Sequence, residues 1–201
     1  MAFPIFAYLI AEGFRHSSDP LKFLSRLGIF AIISEPFYDW AIRGAASPLY
    51  VDFLRHTNIF YTLALGGAAI MLHKYVLDET GSVGKAIVPS FLFMVLAWLL
   101  TTDYGAYGVA FIFFMYVIKP LPVRLGAMAV FCMWQHVDLI GWMLVNDAVE
   151  PLYVMMVLAT LVPVVLVFFY NGQRGRSLKW FFYASYPVHL GILAGLGLVF
   201  L

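Results

Sequence analysis

Long apolar runs alternate with short polar breaks along the whole chain. The runs fall at about 2–14, 24–42, 58–77, 86–101, 106–118, 125–145, 152–170 and 180–201, and the breaks read RHSSDPLK, RGAASPLYVDFLRHT, DETGSVGK, TTDYG, KPLPVR, NDAVEP and NGQRGRSLK. Each break carries the Gly, Pro, Asn, Asp or Ser that ends helices. A helix needs roughly 20 apolar residues to cross a hydrocarbon core of about 30 Å. The pattern therefore predicts an all-α, polytopic transmembrane helix bundle of about eight membrane segments, in one domain over 1–201. Segments one and five are short for a perpendicular crossing. Segments four and five meet at DYG, either as two short crossings or as a re-entrant pair lining a protein cavity.

Composition sharpens this picture. Of the 201 residues 63% are hydrophobic and 11% charged, with a mean hydropathy of +0.90, whereas soluble domains carry about 25% charged residues. The expected surroundings are the lipid bilayer. A net charge of +1 leaves no basic field for nucleic acid. The single cysteine, Cys132, excludes an intrachain disulfide and a cysteine metal cluster. No H-E-x-x-H pair, G-x-S-x-G elbow or phosphate-cradling glycine loop is present, so no metal is expected.

Of the 12 basic residues, all but Arg43 and Arg55 fall in the breaks after odd-numbered segments. The positive-inside rule makes those breaks cytoplasmic and puts both termini on the outer side. With no basic leader region ahead of the first apolar stretch, this orientation calls for a further helix upstream.

Ionisable groups at membrane depth are costly and usually paired or functional. Glu12, Arg15 and His16 share one helix face. They read either as a carboxylate orienting an imidazole or as an interfacial ion pair with Arg15 reaching to water. Glu35 and Asp39, at i and i+4, either hold a proton between them or cap the end of their helix near Arg43. His189 lies about nine residues into the last segment, roughly 14 Å deep, with Ser185 and Tyr186 on its face and the helix-kinking Pro187 nearby; it is read as functional. Asp103 and Tyr104 either shape an external pocket or make a turn. Gln135 and Asp138 are expected to form a polar seam between helices, and His73 with Lys74 to sit solvated at a membrane edge. Gly66, Gly67, Gly191, Gly195 and Gly197 are assigned to close helix packing.

The blocks FPIFAYLIAEGFRHSSD, RLGIFAIISEPFYDWAI, NIFYTLALGG, TDYGAYGV, YNGQRG and FFYASYPVHL, in this order over nearly the whole chain, resemble the TraX family of bacterial membrane proteins. The closing SYPVHL also looks like the end of the acyltransferase-3 membrane family. The resemblance implies an inner-membrane acyltransferase that moves an acetyl or acyl group from acetyl-CoA to an amine or hydroxyl acceptor, such as a pilin N-terminus or another envelope component. TraX-like chains usually begin with another helix bearing an Asp-His pair ahead of FPIF. No such helix precedes FPIF in this sequence, in keeping with the upstream span that the charge asymmetry asks for.

In that scheme the phosphates of the donor meet Arg15, Lys22, Arg26 and the RGR loop. His189 or His16 removes the acceptor's proton, Glu12 orients His16, and Tyr186 or Asn58 stabilises the oxyanion. Asn58, Asp39, Glu35, Asp103 and Tyr104 are the remaining candidate substrate-binding residues. The competing reading is a non-catalytic subunit holding partners in a larger membrane complex.

Overall fold

The computed structural model describes residues 3–42, 56–145, 151–172 and 179–200. Among them every regular element is helical. The elements are α1 (Phe3–His16), α2 (Pro20–Ile42), α3 (Ile59–Thr80), α4 (Val83–Leu99), α5 (Gly105–Val117), α6 (Leu121–Trp134), α7 (Val137–Val145), α8 (Pro151–Ala159), α9 (Val162–Phe168) and α10 (Lys179–Phe200).

Local chemistry marks the ends. Asp19 caps α2 by accepting the Lys22 backbone N–H at 2.9 Å, with Pro20 preset in the first turn. Asn58 caps α3, its side chain accepting from the Phe60 backbone N–H. Gly81 closes α3 in the left-handed conformation, with φ of 62°.

All eight expected segments are helical, but two are broken. Segment seven splits between α8 and α9, where Pro163 lacks the N–H that would bond the Ala159 carbonyl. Segment six splits at Gln135 and His136. Gln135 and Asp138 are exposed there, so the buried polar seam expected of them is absent. By length and composition, only α3 and the α8–α9 stretch qualify among the described residues as membrane-crossing helices. Helix length and composition thus do not confirm the expected number of about eight crossings.

The bundle is built around α3, which packs against α1, α2, α4 and α5, while α10 lies on α2 and α6 on α9. Close approach explains the paired glycines. A Cβ on Gly66 would come within 2.6 Å of the Ile112 side chain, and one on Gly67 within 2.6 Å of Phe14. The α4–α5 pair is a helical hairpin closed by the tight turn at 100–104. Its inner face joins an aromatic stack in which Tyr104 and Phe3 lie 3.8 Å apart and Phe111 and Phe131 4.1 Å apart.

His73 is not solvated, as expected from its flank, but buried at 6% exposure. Its Nδ1 donates to the Ala86 carbonyl at 2.8 Å, and its ring meets Phe113 edge-on. The outward faces carry Ile29, Phe91, Trp98, Val130 and Phe169, all exposed. Apolar surface on this scale suits lipid rather than water.

Candidate functional site

Three groups of polar side chains stand out in this apolar bundle. The first gathers where α1, α5 and α6 meet. Glu12 accepts from Arg15 and from Arg124, the latter at 2.5 Å. Arg15 also donates to the carbonyls of Met115, Tyr116 and Ile118, where the negative end of the α5 dipole favours a cation. Arg124 lies over the Tyr8 ring at 4.3 Å.

This arrangement contains the ion pair that was one of the two readings of Glu12, Arg15 and His16. His16 Nδ1 lies 3.8 Å from Glu12 Oε2 and donates to the Glu12 backbone carbonyl at 3.0 Å, with its side chain 76% exposed. Arg15 commits its terminal nitrogens to Glu12 and the three carbonyls, with its side chain 20% exposed. Lys22 is paired with Asp19 at 3.0 Å. Arg26 differs: its guanidinium lies 5.8 Å from the Phe23 ring and hydrogen-bonds Tyr183. Arg174, Arg176 and Arg43 lie outside the described residues.

The second group is the junction of α2 with the start of α3. Glu35, Asp39, Asn58 and Thr57 are fully buried. Glu35 Oε2 accepts from the Asn58 backbone N–H at 3.1 Å and from Asn58 Nδ2 at 2.5 Å. Asn58 Nδ2 also donates to the Ala31 carbonyl at 2.8 Å. Both amide hydrogens are thereby committed, and neither is left for an oxyanion. Asn58 and Glu35 tie α2 to α3 rather than contacting a substrate.

The third group lines a cleft of about 650 Å³. Because α10 packs on α2 while α1 packs on α3 and α5, space remains between α1 and α10. Apolar side chains, among them Phe6, Ile10, Leu27 and Leu63, line most of it. Asp103, Tyr104, Ser185, Tyr186 and His189 supply its polar lining.

His189 Nδ1 donates to the Ser185 carbonyl at 3.1 Å. The proton is thus assigned to Nδ1, and Nε2 keeps the lone pair a general base needs. The His189 ring meets Tyr186 edge-on with centroids 5.4 Å apart. The Tyr186 hydroxyl oxygen accepts from the Ile59 backbone N–H, which turns its own hydrogen toward other acceptors.

Asp103 sits in the turn between α4 and α5. Its backbone N–H donates to the Thr57 carbonyl at 2.9 Å, and Thr62 Oγ1 bonds Thr102 Oγ1 at 3.0 Å in the same turn. The side chain keeps an exposed surface where it lines the cleft. The surrounding walls still strip water from the carboxyl and raise its pKa, against the opposing effect of the hydrogen bond from Tyr38.

Of the residues singled out by sequence, His189, Tyr186, Asp103 and Tyr104 come together, with Arg26 bonded to Tyr183 of the same wall. Glu12, Arg15 and His16 form a separate group, as do Glu35, Asp39 and Asn58. Arg124 and Tyr38 went unnoticed in the sequence. Nothing local marks either one, since the partner of Arg124 lies 112 positions away.

The TraX protein family model matches residues 1–197. The chain belongs to the TraX family. It is also 30% identical over 203 residues to the probable fimbrial assembly protein FimC, serogroup H1, of Dichelobacter nodosus, across 96% of this chain and 78% of the relative. No solved structure matches. Family and apolar helices together make this a membrane protein.

Proposed function

We propose that this TraX-family protein is an acyltransferase of the bacterial inner membrane, acting on the terminal amine of a pilin-like subunit with acetyl-CoA or another acyl-CoA as donor. The carrying observation is that one cleft presents the free Nε2 of His189, the hydroxyl of Tyr186 and the carboxyl of Asp103. The family match and the name of the fimbrial relative support a pilin-related acceptor. The charge asymmetry of the breaks supports cytoplasmic odd-numbered breaks and outer termini.

In this reading Arg26 meets donor phosphates. Six residues of helix separate its partner Tyr183 from His189, about 9 Å along the axis, a distance the donor's flexible arm spans. The acceptor nitrogen attacks the thioester carbonyl, forming the C–N bond, and the C–S bond breaks. His189 Nε2 takes the proton from nitrogen and returns it to the leaving thiolate, while the Tyr186 hydroxyl donates to the oxyanion.

The test is acyl-CoA-dependent labelling of a co-reconstituted pilin-like subunit, read by mass spectrometry of its N-terminus. His189→Ala is expected to cut transfer by about 10²–10⁴-fold while leaving insertion and melting unchanged. Full activity in that variant would reject the assignment. A second reading, a non-catalytic assembly subunit, draws on the word "assembly" in the relative's name. It predicts stable co-purification with a complex and no turnover with any acyl-CoA.

A further inference from the structure

We propose that the break between α6 and α7 is a self-association site: a second copy of this chain lays its own α7 against this one, and the Gln135 amide of each copy donates to Asp138 of the other. The proposal is independent of the acyl-transfer reading.

An unmet charge is the first argument. Asp138 stands in the first turn of α7 and is exposed, as is Gln135 at the end of α6. Neither side chain has a hydrogen bond or ion pair among the described residues. Asp138 lies about 10 Å along the axis from Val145, the end of α7, and about 25 Å from Leu121, the start of α6. A crossing by this run therefore holds it inside a hydrocarbon core of about 30 Å. Trp134, Val137 and Val145 around it are exposed too, which makes these surroundings apolar. A carboxylate there is costly unless it is paired. The dipole at the start of α7 favours its charge, yet no donor reaches its oxygens among the described residues.

The break itself is the second argument. Helix ends leave backbone N–H and C=O groups without intrahelical partners, and irregular backbone facing lipid is not tolerated at membrane depth. A neighbouring helix that covers positions 135–137 removes this cost along with that of the carboxylate.

The third is the shape of the face. Asp138, Gly141, Trp142 and Val145 recur at i, i+3, i+4 and i+7, one side of α7, and all four are exposed. Met143 is buried and lies on the opposite side, toward the bundle. A Cβ on Gly141 would meet nothing within 4 Å, so a second helix can approach closely at this position.

The occupant follows from complementarity. The face carries a donor, the Gln135 amide, and an acceptor, the Asp138 carboxylate, so two copies related by a two-fold axis satisfy each other without any further residue. Both copies insert in one orientation, which sets the axis along the bilayer normal and brings equal depths together. Gln135 and Asp138 then differ by about 4.5 Å in height, a gap their side chains bridge. The polar seam that their spacing suggests within one chain is placed between two.

The experiment uses the full chain, purified and reconstituted in lipid vesicles, with its native Cys132 buried. Val145→Cys and, as a control, Leu99→Cys at the exposed end of α4 are oxidised with copper phenanthroline. Disulfide-linked dimers are measured across a series of protein-to-lipid ratios. Val145→Cys is expected to form dimers at ratios where Leu99→Cys does not. Adding Asp138→Leu to Val145→Cys should lower the dimer affinity about tenfold, whereas adding Asp138→Asn, which keeps an acceptor, should retain most of it. Gly141→Leu should weaken the dimer through packing while keeping Asp138, which covers the case in which Asp138→Leu fails to fold. Equal cross-linking of Val145→Cys and Leu99→Cys, no dimer from Val145→Cys, or no effect of either leucine variant would each overturn the proposal. Cross-linking of Val145→Cys to a different protein in native membranes, with none between copies, would give the face to a foreign helix and overturn it as well.

Discussion

The knot around Glu12 and the polar end of the cleft both place ionisable groups in an apolar bundle, and they differ in what their partners are. In the knot the protein itself meets the charges. Glu12 lies between two guanidiniums, and Arg15 ends on three backbone carbonyls. At the cleft, Asp103 has a hydroxyl partner but no cation among the described residues, and His189 keeps one nitrogen open. The type of residue is therefore a poor guide to function in such a bundle. The better guide is whether the protein completes the group's interactions. The knot staples α1, α5 and α6 together; the cleft leaves room for a ligand.

Breaking the knot should produce the largest structural effect. Glu12→Ala leaves Arg124, whose side chain is 7% exposed, without its anion. Loss of one partner from a buried pair costs about 3–5 kcal/mol. Thermal unfolding in detergent, followed by size-exclusion fluorescence, should show a large drop in melting temperature. The matching change at the cleft, Asp103→Asn, should leave melting nearly unchanged. If both variants melted alike, the distinction between the two regions would fail.

Gly108→Ala probes the cleft through packing. Its Cβ would meet Thr62 Cγ2 and Tyr104 Cβ at 2.5 Å, so Tyr104 must shift. Overpacking of this kind costs about 1–3 kcal/mol, and the displaced Tyr104 should weaken acyl transfer as well as melting. Loss of stability with acyl transfer intact would show that Tyr104 does not shape the cleft's ligand site.

Asn58→Ala is expected to cost about 1–2 kcal/mol through the lost helix cap. Asn58→Asp sharpens this test, because it keeps the capping oxygen but sets a second carboxylate against Glu35. Asp should therefore be the worse of the two, by chemical denaturation at neutral pH, if Asn58 serves as a bridge rather than only as a cap.

The smallest effect belongs to Asp19, whose pKa is lowered from its ordinary 3.8 chiefly by the Lys22 backbone N–H. A depressed carboxylate contributes stability that is present above the unfolded value and lost as pH falls through the folded one. Asp19→Asn should thus narrow the stability difference between about pH 5 and pH 3, measured as melting temperature against pH, with little change in ligand binding.

Much of the helical layout was legible from the spacing of polar breaks, because a helix end must satisfy backbone groups locally. Asp19, Asn58 and Gly81 do so with their own side chains or dihedrals. The break at Pro163 was equally local, although a hydropathy run does not register it. His189 stood out because its position within the last apolar run gives its depth. The division of roles among charged residues was not legible in this way. Glu12 beside His16 at helical spacing resembles a catalytic pair, and nothing in the sequence signals that its other oxygen is shared with Arg124, far along the chain.

The sequence by itself determined that this is an all-α membrane protein of the TraX family, since hydropathy, break chemistry and ordered motifs are properties of short stretches. Only the tertiary structure decided which polar groups are consumed and which face open space. That outcome depends on where α1, α3, α6 and α10 come to rest against one another. Asp103 and Tyr186 lie 83 positions apart in the sequence, yet they line one cleft. Their meeting follows from packing α10 on α2 and the α4–α5 turn on the start of α3, contacts that no local pattern of residues encodes.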